Sequence, residues 1–196
     1  MPEETGLPES LDRIIQVWMN LPDLHAAPVH SPPPGFSLRA YRPGDEKIWT
    51  DIWRQADEYG AVAADTFALE FGSDAAALER RQFFLVESGG EAVGTASAWY
   101  PDDAHGPRAG RVHWVAIAPQ WQGRGLSRPL LSAVLTRMKE LGCRSAFLKT
   151  QTVRVAAIRL YLEFGFVPEV RSEKEREGWR RLRTAIAPSA LDRAAL

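Results

Sequence analysis

The run Val115-Ala116-Ile117-Ala118-Pro119-Gln120-Trp121-Gln122-Gly123-Arg124-Gly125-Leu126-Ser127 constrains the chain path more than any other part of the sequence. The apolar stretch Val112 to Ala118 predicts the end of a strand. Beyond Gly125, residues Leu126, Leu130, Leu131, Val134, Leu135, Met138 and Leu141 recur at helical spacing and predict one amphipathic helix. Pro129 falls inside the first helical turn, where its missing N–H has no partner to lose. A strand, a glycine-bearing turn and a helix start, in that order, expose backbone N–H groups that helix geometry leaves unpaired. They sit at the positive end of the helix dipole. That is a site for a phosphate or pyrophosphate, and two glycines let backbone approach such a group without a Cβ between them.

With 196 residues, 45% of them hydrophobic and 25% charged, the chain is long enough for a well-cored globular domain. No apolar run approaches the length of a membrane-spanning helix, which predicts no membrane partner. The acidic start Met-Pro-Glu-Glu-Thr-Gly lacks the apolar core of a signal peptide, so a cytoplasmic location is expected. The single cysteine, Cys143, precludes an internal disulfide and reads as a small core residue. A net charge of -1 argues against general nucleic-acid binding. The charge is uneven: the first hundred residues hold nine more acidic than basic side chains, the rest eight more basic than acidic. A polyanionic ligand on the C-terminal half suits that split; chance differences between solvated faces account for it equally well.

Residues 1–35 read as an appendage: helical apolar spacing over Ser10 to Leu21, then an extended linker, His30-Ser31-Pro32-Pro33-Pro34-Gly35. A strand is expected over Phe36 to Tyr41 and a helix from an Asp45 N-cap to about Tyr59. A second helix is expected over Asp65 to Phe71, with an extension towards Arg80 left open. Gln82–Glu87 and Ala92–Tyr100 read as a hairpin, and Arg111–Ile117 as the next strand. After the long helix come a strand over Ser145–Gln151, a short helix over Val155–Phe164 closed by Gly165, a strand from Phe166, and a charged but alternating strand over Glu175–Ile186. The sum predicts a mixed α/β fold with a mostly antiparallel central sheet flanked by helices.

No Gly-Lys-Ser/Thr follows the turn, which excludes a Walker phosphate loop. The third glycine of a dinucleotide fingerprint would fall on Arg128, which disfavours a Rossmann site. Instead, Gln120-Trp121-Gln122-Gly123-Arg124-Gly125 resembles the acetyl-CoA motif Gln/Arg-x-x-Gly-x-Gly/Ala of the GNAT superfamily of acyl-CoA-dependent N-acetyltransferases. Ala157-Ile158-Arg159-Leu160-Tyr161-Leu162-Glu163-Phe164-Gly165-Phe166 resembles that family's tyrosine-bearing helix ending in Gly-Phe. The order of elements agrees from about residue 36 to 186, so residues 36–196 are taken as the GNAT-like domain.

The resemblance implies acetyl-CoA as acyl donor, an amine of a small molecule or peptide as acceptor, and no metal; a homodimer is compatible with it. It implies a pyrophosphate resting on the amides of Gln122, Gly123, Arg124, Gly125, Leu126 and Ser127, and a pantetheine arm along Val115, Ala116 and Ile117. Side-chain identity matters little for amide contacts, so Ser127 fits where glycine or alanine is usual. Tyr161 matches the position of the acid that protonates the leaving thiolate. Arg111, His113, Val115 and Ile117 alternate onto one strand face. His113 stands at a position where the family often places a base, and histidine titrates in the right range. A packed, hydrogen-bonded histidine is the competing reading. Asp51, Asp65 and Glu87 are reserve bases. Arg154 stands where the family often has Asn. That departure keeps a second reading open, a non-catalytic acyl-CoA-binding sensor or assembly module.

Overall fold

A computed structural model describes residues 14–186. In chain order its strands are β1 (Gln16–Leu21), β2 (Phe36–Ala40), β3 (Gln82–Glu87), β4 (Ala92–Trp99), β5 (Ala109–Ile117), β6 (Ser145–Gln151) and β7 (Val167–Glu169). Its α-helices are α1 (Asp45–Ala56), α2 (Thr66–Phe71), α3 (Ala75–Arg81), α4 (Ser127–Glu140), α5 (Val155–Glu163) and α6 (Glu173–Leu182). The chain forms two compact units, residues 27–144 and a second unit built from the residues before 27 and after 144. The fold class is as expected, strands paired antiparallel and flanked by helices.

In the 27–144 unit, β2, β3, β4 and β5 pair antiparallel in sequence order. Trp49, Ile52 and Trp53 of α1 and Phe67 and Phe71 of α2 bury an aromatic cluster with Tyr41, Phe84 and Ala116. The Trp49 ring meets Phe67, Phe71 and Trp114 edge-on, at 5.3, 5.5 and 5.0 Å. Edge-to-face contact suits the ring quadrupoles and fixes the packing more sharply than area burial does. The apolar stripe of α4 is buried from Leu126 to Met138, as its spacing predicts. Gly142, in the left-handed region at φ 82°, ends the helix, and the Cys143 N–H reaches back to the Met138 carbonyl. Asp45 is not the N-cap of α1; Gly44 is. The Asp45 carboxylate instead takes a two-pronged ion pair from Arg39, at 2.6 and 2.9 Å, and the Arg42 N–H. The helical segment after residue 65 breaks at Gly72, in the left-handed region at φ 70°, so α2 and α3 are separate.

In the other unit the sequence reading needs two corrections. Residues 16–21 are a strand, not the end of a helix. Residues 1–13 lie outside the described residues. β1 pairs antiparallel with β6 on one side and β7 on the other. Val17, Met19 and Leu21 are buried in alternation. Each of the two flanking ladders satisfies the backbone groups of alternate residues, and that tertiary pairing overrides a weak helical spacing. Residues 173–182 are a helix, not a strand. Ser172 caps it by accepting the Glu175 N–H. Glu173–Arg176 and Glu177–Arg181 pair one turn apart, and Trp179 and Leu182, three residues apart, are fully buried. A Cβ at Gly178 would stand 3.0 Å from Ile15 and 3.2 Å from Val17, so the helix approaches β1 through its glycine.

Candidate active site

The turn expected to hold an anion forms as a 3-10 turn, Pro119–Trp121, followed by Gly123 and Gly125 at φ 74° and 75°. Only glycine adopts that left-handed backbone without strain. The N–H groups of Gly123, Arg124, Gly125, Leu126 and Ser127 make no hydrogen bond to any described residue. The Arg128 N–H bonds the Gly125 carbonyl and closes the turn onto α4. Gln122 departs from expectation. Its N–H is spent on the Pro119 carbonyl, while its side-chain amide donates to the Ile117 carbonyl at 2.9 Å. It thus braces the strand end. Arg124 lies on the Trp121 ring, 4.7 Å from its centroid, and Trp121 stands edge-on to Phe36. Arg128 folds over Gly125 so closely that a Cβ there would be 3.3 Å from its guanidinium.

Ala118 donates its N–H to the Val93 carbonyl. In an antiparallel ladder the next residue back, Ile117, therefore turns its own N–H and C=O away from β4.

β5 does not alternate regularly. Gly94 faces Ile117 and Thr95 faces Ala116, but Ser97 faces His113, so β5 carries an extra residue. Trp114 takes up the bulge at φ 51°, a left-handed conformation rare for a bulky side chain. The expected common face of Arg111, His113, Val115 and Ile117 is therefore broken. Ala116, not Val115, joins the aromatic cluster next to Trp114. Ile117 points instead to Leu130 of α4, both reaching the position a Cβ on Gly94 would take.

The bulge delivers two neighbouring side chains to one acid. His113 Nε2 and Trp114 Nε1 each lie 2.9 Å from Glu70 Oε2. The Trp114 contact is a directed hydrogen bond; the His113 contact is an ion-pair distance off the hydrogen-bond line. His113 is buried between Phe71 and Trp99, with ring centroids at 5.4 and 6.4 Å. Its pKa is lowered, first by burial and then by Arg111, against the raising effect of Glu70. The imidazole is therefore neutral near pH 7 and able to take a proton. Glu70 is held down at about 2, first by His113 and then by Trp114, so it is ionised. Sequence reading missed Glu70. A lone acid on a six-residue helix, 43 positions from its partner, gives no local signal.

Of the reserve bases, Glu87 accepts the N–H groups at the β3–β4 turn and Asp51 pairs with Lys47, while Asp65 stands at the N-cap of α2 without a side-chain capping bond. Asp51 also lines an open groove of about 380 Å³ beside α1, where Glu46, Lys47 and Arg54 balance the charge and leave no preference for a cation. In the other unit Tyr161 is buried on α5 against Phe166, and burial pushes its hydroxyl up to about 12. It is therefore a phenol, not a phenolate, at neutral pH. Arg154 donates to the Gln151 side chain at the start of α5. Among the described residues no cluster of three metal-ligating side chains occurs, and no helix is long and apolar enough to cross a membrane.

Comparison with known proteins gives one family from the family model and from relatives, and the same fold from solved structures. The model of the acetyltransferase (GNAT) family matches residues 46–166. Two relatives, both named mycothiol acetyltransferase, are those of Sanguibacter keddieii and Thermobispora bispora. The first is 32% identical over 72% of this chain and 46% of its own length. The second is 32% identical over 80% and 55%. The chain spans about half the length of the curated relatives it matches. A GCN5-related N-acetyltransferase from Sphaerobacter thermophilus superimposes with a TM-score of 0.66 at 23% identity, over 79% of this chain and 48% of that one. The ribosomal-protein-S18-alanine N-acetyltransferase of Escherichia coli superimposes at 0.56 with 22% identity, over 69% and 79%.

Proposed function

The chain belongs to the acetyltransferase (GNAT) family, and from that premise we propose that it moves the acetyl group of acetyl-CoA directly to a primary amine. The observation that carries this reading is the set of uncommitted N–H groups from Gly123 to Ser127 at the start of α4. Backbone amides at a helix N-terminus match the charge and geometry of a pyrophosphate, and the left-handed glycines keep Cβ atoms out of its way. Arg124 and Arg128 add positive charge beside the cradle. The pantetheine arm lies along Val115, Ala116 and Ile117, with the thioester carbonyl accepting a backbone N–H near Ile117. That contact strengthens as charge develops on oxygen.

The amine must be neutral to attack. His113, neutral and buried, takes its proton. The amine nitrogen then bonds to the acyl carbon as the carbon–sulfur bond breaks; the nitrogen sheds its surplus proton to water, which re-protonates the acid after transfer, and the departing sulfur takes a proton. Tyr161 donates it, an assignment that rests on its place in the Gly-Phe helix motif and on its protonated state. The acceptor is a small molecule, a reading supported by relatives named mycothiol acetyltransferase. A peptide amine is the second reading, favoured by the likeness to an enzyme named for a ribosomal protein.

The test is release of free CoA thiol from acetyl-CoA with a panel of amino sugars, amino acids, polyamines and N-terminal peptides. Turnover with one class, at least about a hundredfold slower in His113→Gln, is the expected result. Binding of acetyl-CoA in calorimetry with no turnover on any amine, and no effect of Tyr161→Phe, would replace the enzyme with a binding module.

A further inference from the structure

The bulge in β5 poses a question that acetyl transfer alone does not answer: why a tryptophan occupies a left-handed position. In a regular strand, neighbouring side chains point to opposite faces. Here His113 and Trp114 reach the same carboxylate oxygen, each at 2.9 Å. Only the extra residue and the positive φ of Trp114 permit that convergence. The conformation is kept because the surroundings over-determine it: Trp53 and Trp49 clamp the Trp114 ring edge-on, at 4.6 and 5.0 Å, and Glu70 holds its N–H.

Resting on the reading of His113 as the base, we infer that Glu70 is its positioning residue. The carboxylate fixes the imidazole proton on Nε2, leaves Nδ1 as the basic nitrogen, and supports the imidazolium formed when the amine's proton is taken. Two lone pairs facing each other at 2.9 Å repel, so the nitrogen next to an ionised carboxylate is the one that carries the proton. The off-line angle is no obstacle, since such contacts tighten when substrate is bound. The charged groups that act on His113 are Glu70 from α2 and Arg111 from its own strand; Phe71, Trp99 and Trp114 complete its surroundings. Arg111, itself offset by Asp102, and burial both oppose protonation, whereas Glu70 favours it. Glu70 is thus the group that keeps a buried histidine basic enough to work.

The experiment uses the whole chain with nitrogen-15-labelled histidine. His113→Gln identifies its signals among the four histidines. Ring nitrogen shifts are followed through pH, alongside the pH profile of kcat/KM with acetyl-CoA and the best amine. Wild type is expected to show the Nε2–H tautomer. Glu70→Gln removes the charge and is expected to lower both the His113 midpoint and the acid limb of the profile by about one pH unit. It is expected to cut kcat about tenfold with KM for acetyl-CoA unchanged. Glu70→Ala is expected to release the proton to Nδ1. Glu70→Asp, which draws the carboxylate back by one methylene, is expected to fall between wild type and Gln, and stands in should Gln fail to fold. The Nδ1–H tautomer in wild type, or one His113 midpoint shared by wild type and the Glu70 variants, overturns the inference. Full activity in His113→Gln overturns the base assignment instead, and the ring shifts then decide the Glu70–His113 coupling on their own.

Discussion

Gly94 ties stability to donor binding at a single Cβ. It lies in β4 opposite Ile117, and its backbone has no left-handed φ that would forbid alanine. A methyl group there would stand 2.5 Å from Ile117 Cδ1, 2.9 Å from Leu130 Cδ1 and 2.9 Å from the Ala116 carbonyl oxygen. The two aliphatic tips can turn away; the carbonyl belongs to β5 itself. Moving the oxygen from 2.9 Å to ordinary contact at 3.4 Å displaces β5 by about 0.5 Å at Ala116. Overpacking of this kind costs about 1–3 kcal/mol. The stiffer unfolded chain of alanine returns about 0.4–1 kcal/mol. A net loss of about 1–2 kcal/mol corresponds to a melting temperature lower by about 2–8 °C in a chain of this size. The same displacement falls where the thioester is proposed to lie. A misplacement of about 1 Å costs on the order of a hundredfold in rate, so about tenfold is expected here. Gly94→Ala is to be measured by urea unfolding, acetyl-CoA calorimetry and thiol release. Gly110→Ala is the control. The three atoms nearest its methyl would all belong to Met138, the sulfur at 2.6 Å, and an unbranched thioether can move aside without shifting a strand. A Gly94→Ala protein as stable as wild type refutes the contact argument. One that is destabilised but binds and turns over acetyl-CoA normally refutes the placement of the donor arm.

Tyr161→Phe is expected to keep the fold, since the ring stays buried against Phe166, and to lower kcat about a hundredfold with little change in acetyl-CoA affinity; equal kcat removes Tyr161 from the mechanism. Gly125→Ala places a Cβ at φ 75°, 3.3 Å from the Arg128 guanidinium. It is expected to cost about 1–2 kcal/mol in urea unfolding and to weaken acetyl-CoA binding in calorimetry. Acid should destabilise the 27–144 unit through the Glu70–His113 pair. Glu70 in the fold sits near 2, below its usual 4.5, so its contribution is full above about 4.5 and lost as pH falls towards 2. Burial lowers His113 as well, so protonation favours the unfolded chain, and its share is lost as pH falls below about 6.5. Glu70 is more than a third exposed, which limits its share to about 1 kcal/mol after screening. Urea midpoints at pH 7, 5 and 4 are expected to fall in that order, with a flatter slope below pH 5 in Glu70→Gln; parallel slopes count against the pairing.

The glycine turn and α4 were legible in the sequence because they are local. Two glycines, a proline tolerated in a first turn and an apolar repeat specify a strand–turn–helix unit through short-range sterics and dipoles, with no distant partner required. Tyr161 and its Gly-Phe ending were legible for the same reason. β1 and α6 were misread because short segments carry both periods: Val17, Met19 and Leu21 also fit alternation, and Trp179 and Leu182 also fit a helix turn. Only the ladders on β6 and β7, and the packing of Gly178 against Ile15 and Val17, chose between them. The bulge at Trp114 and its meeting with Glu70 were invisible for a stronger reason. A left-handed tryptophan is locally unfavourable, so no local rule predicts it. The aromatic clamp and a carboxylate 44 residues away decided it. The sequence alone thus determined the strand–turn–helix unit and its two glycines, while the tertiary structure decided which acid stands behind His113, because that contact exists only once α2 is packed against β5.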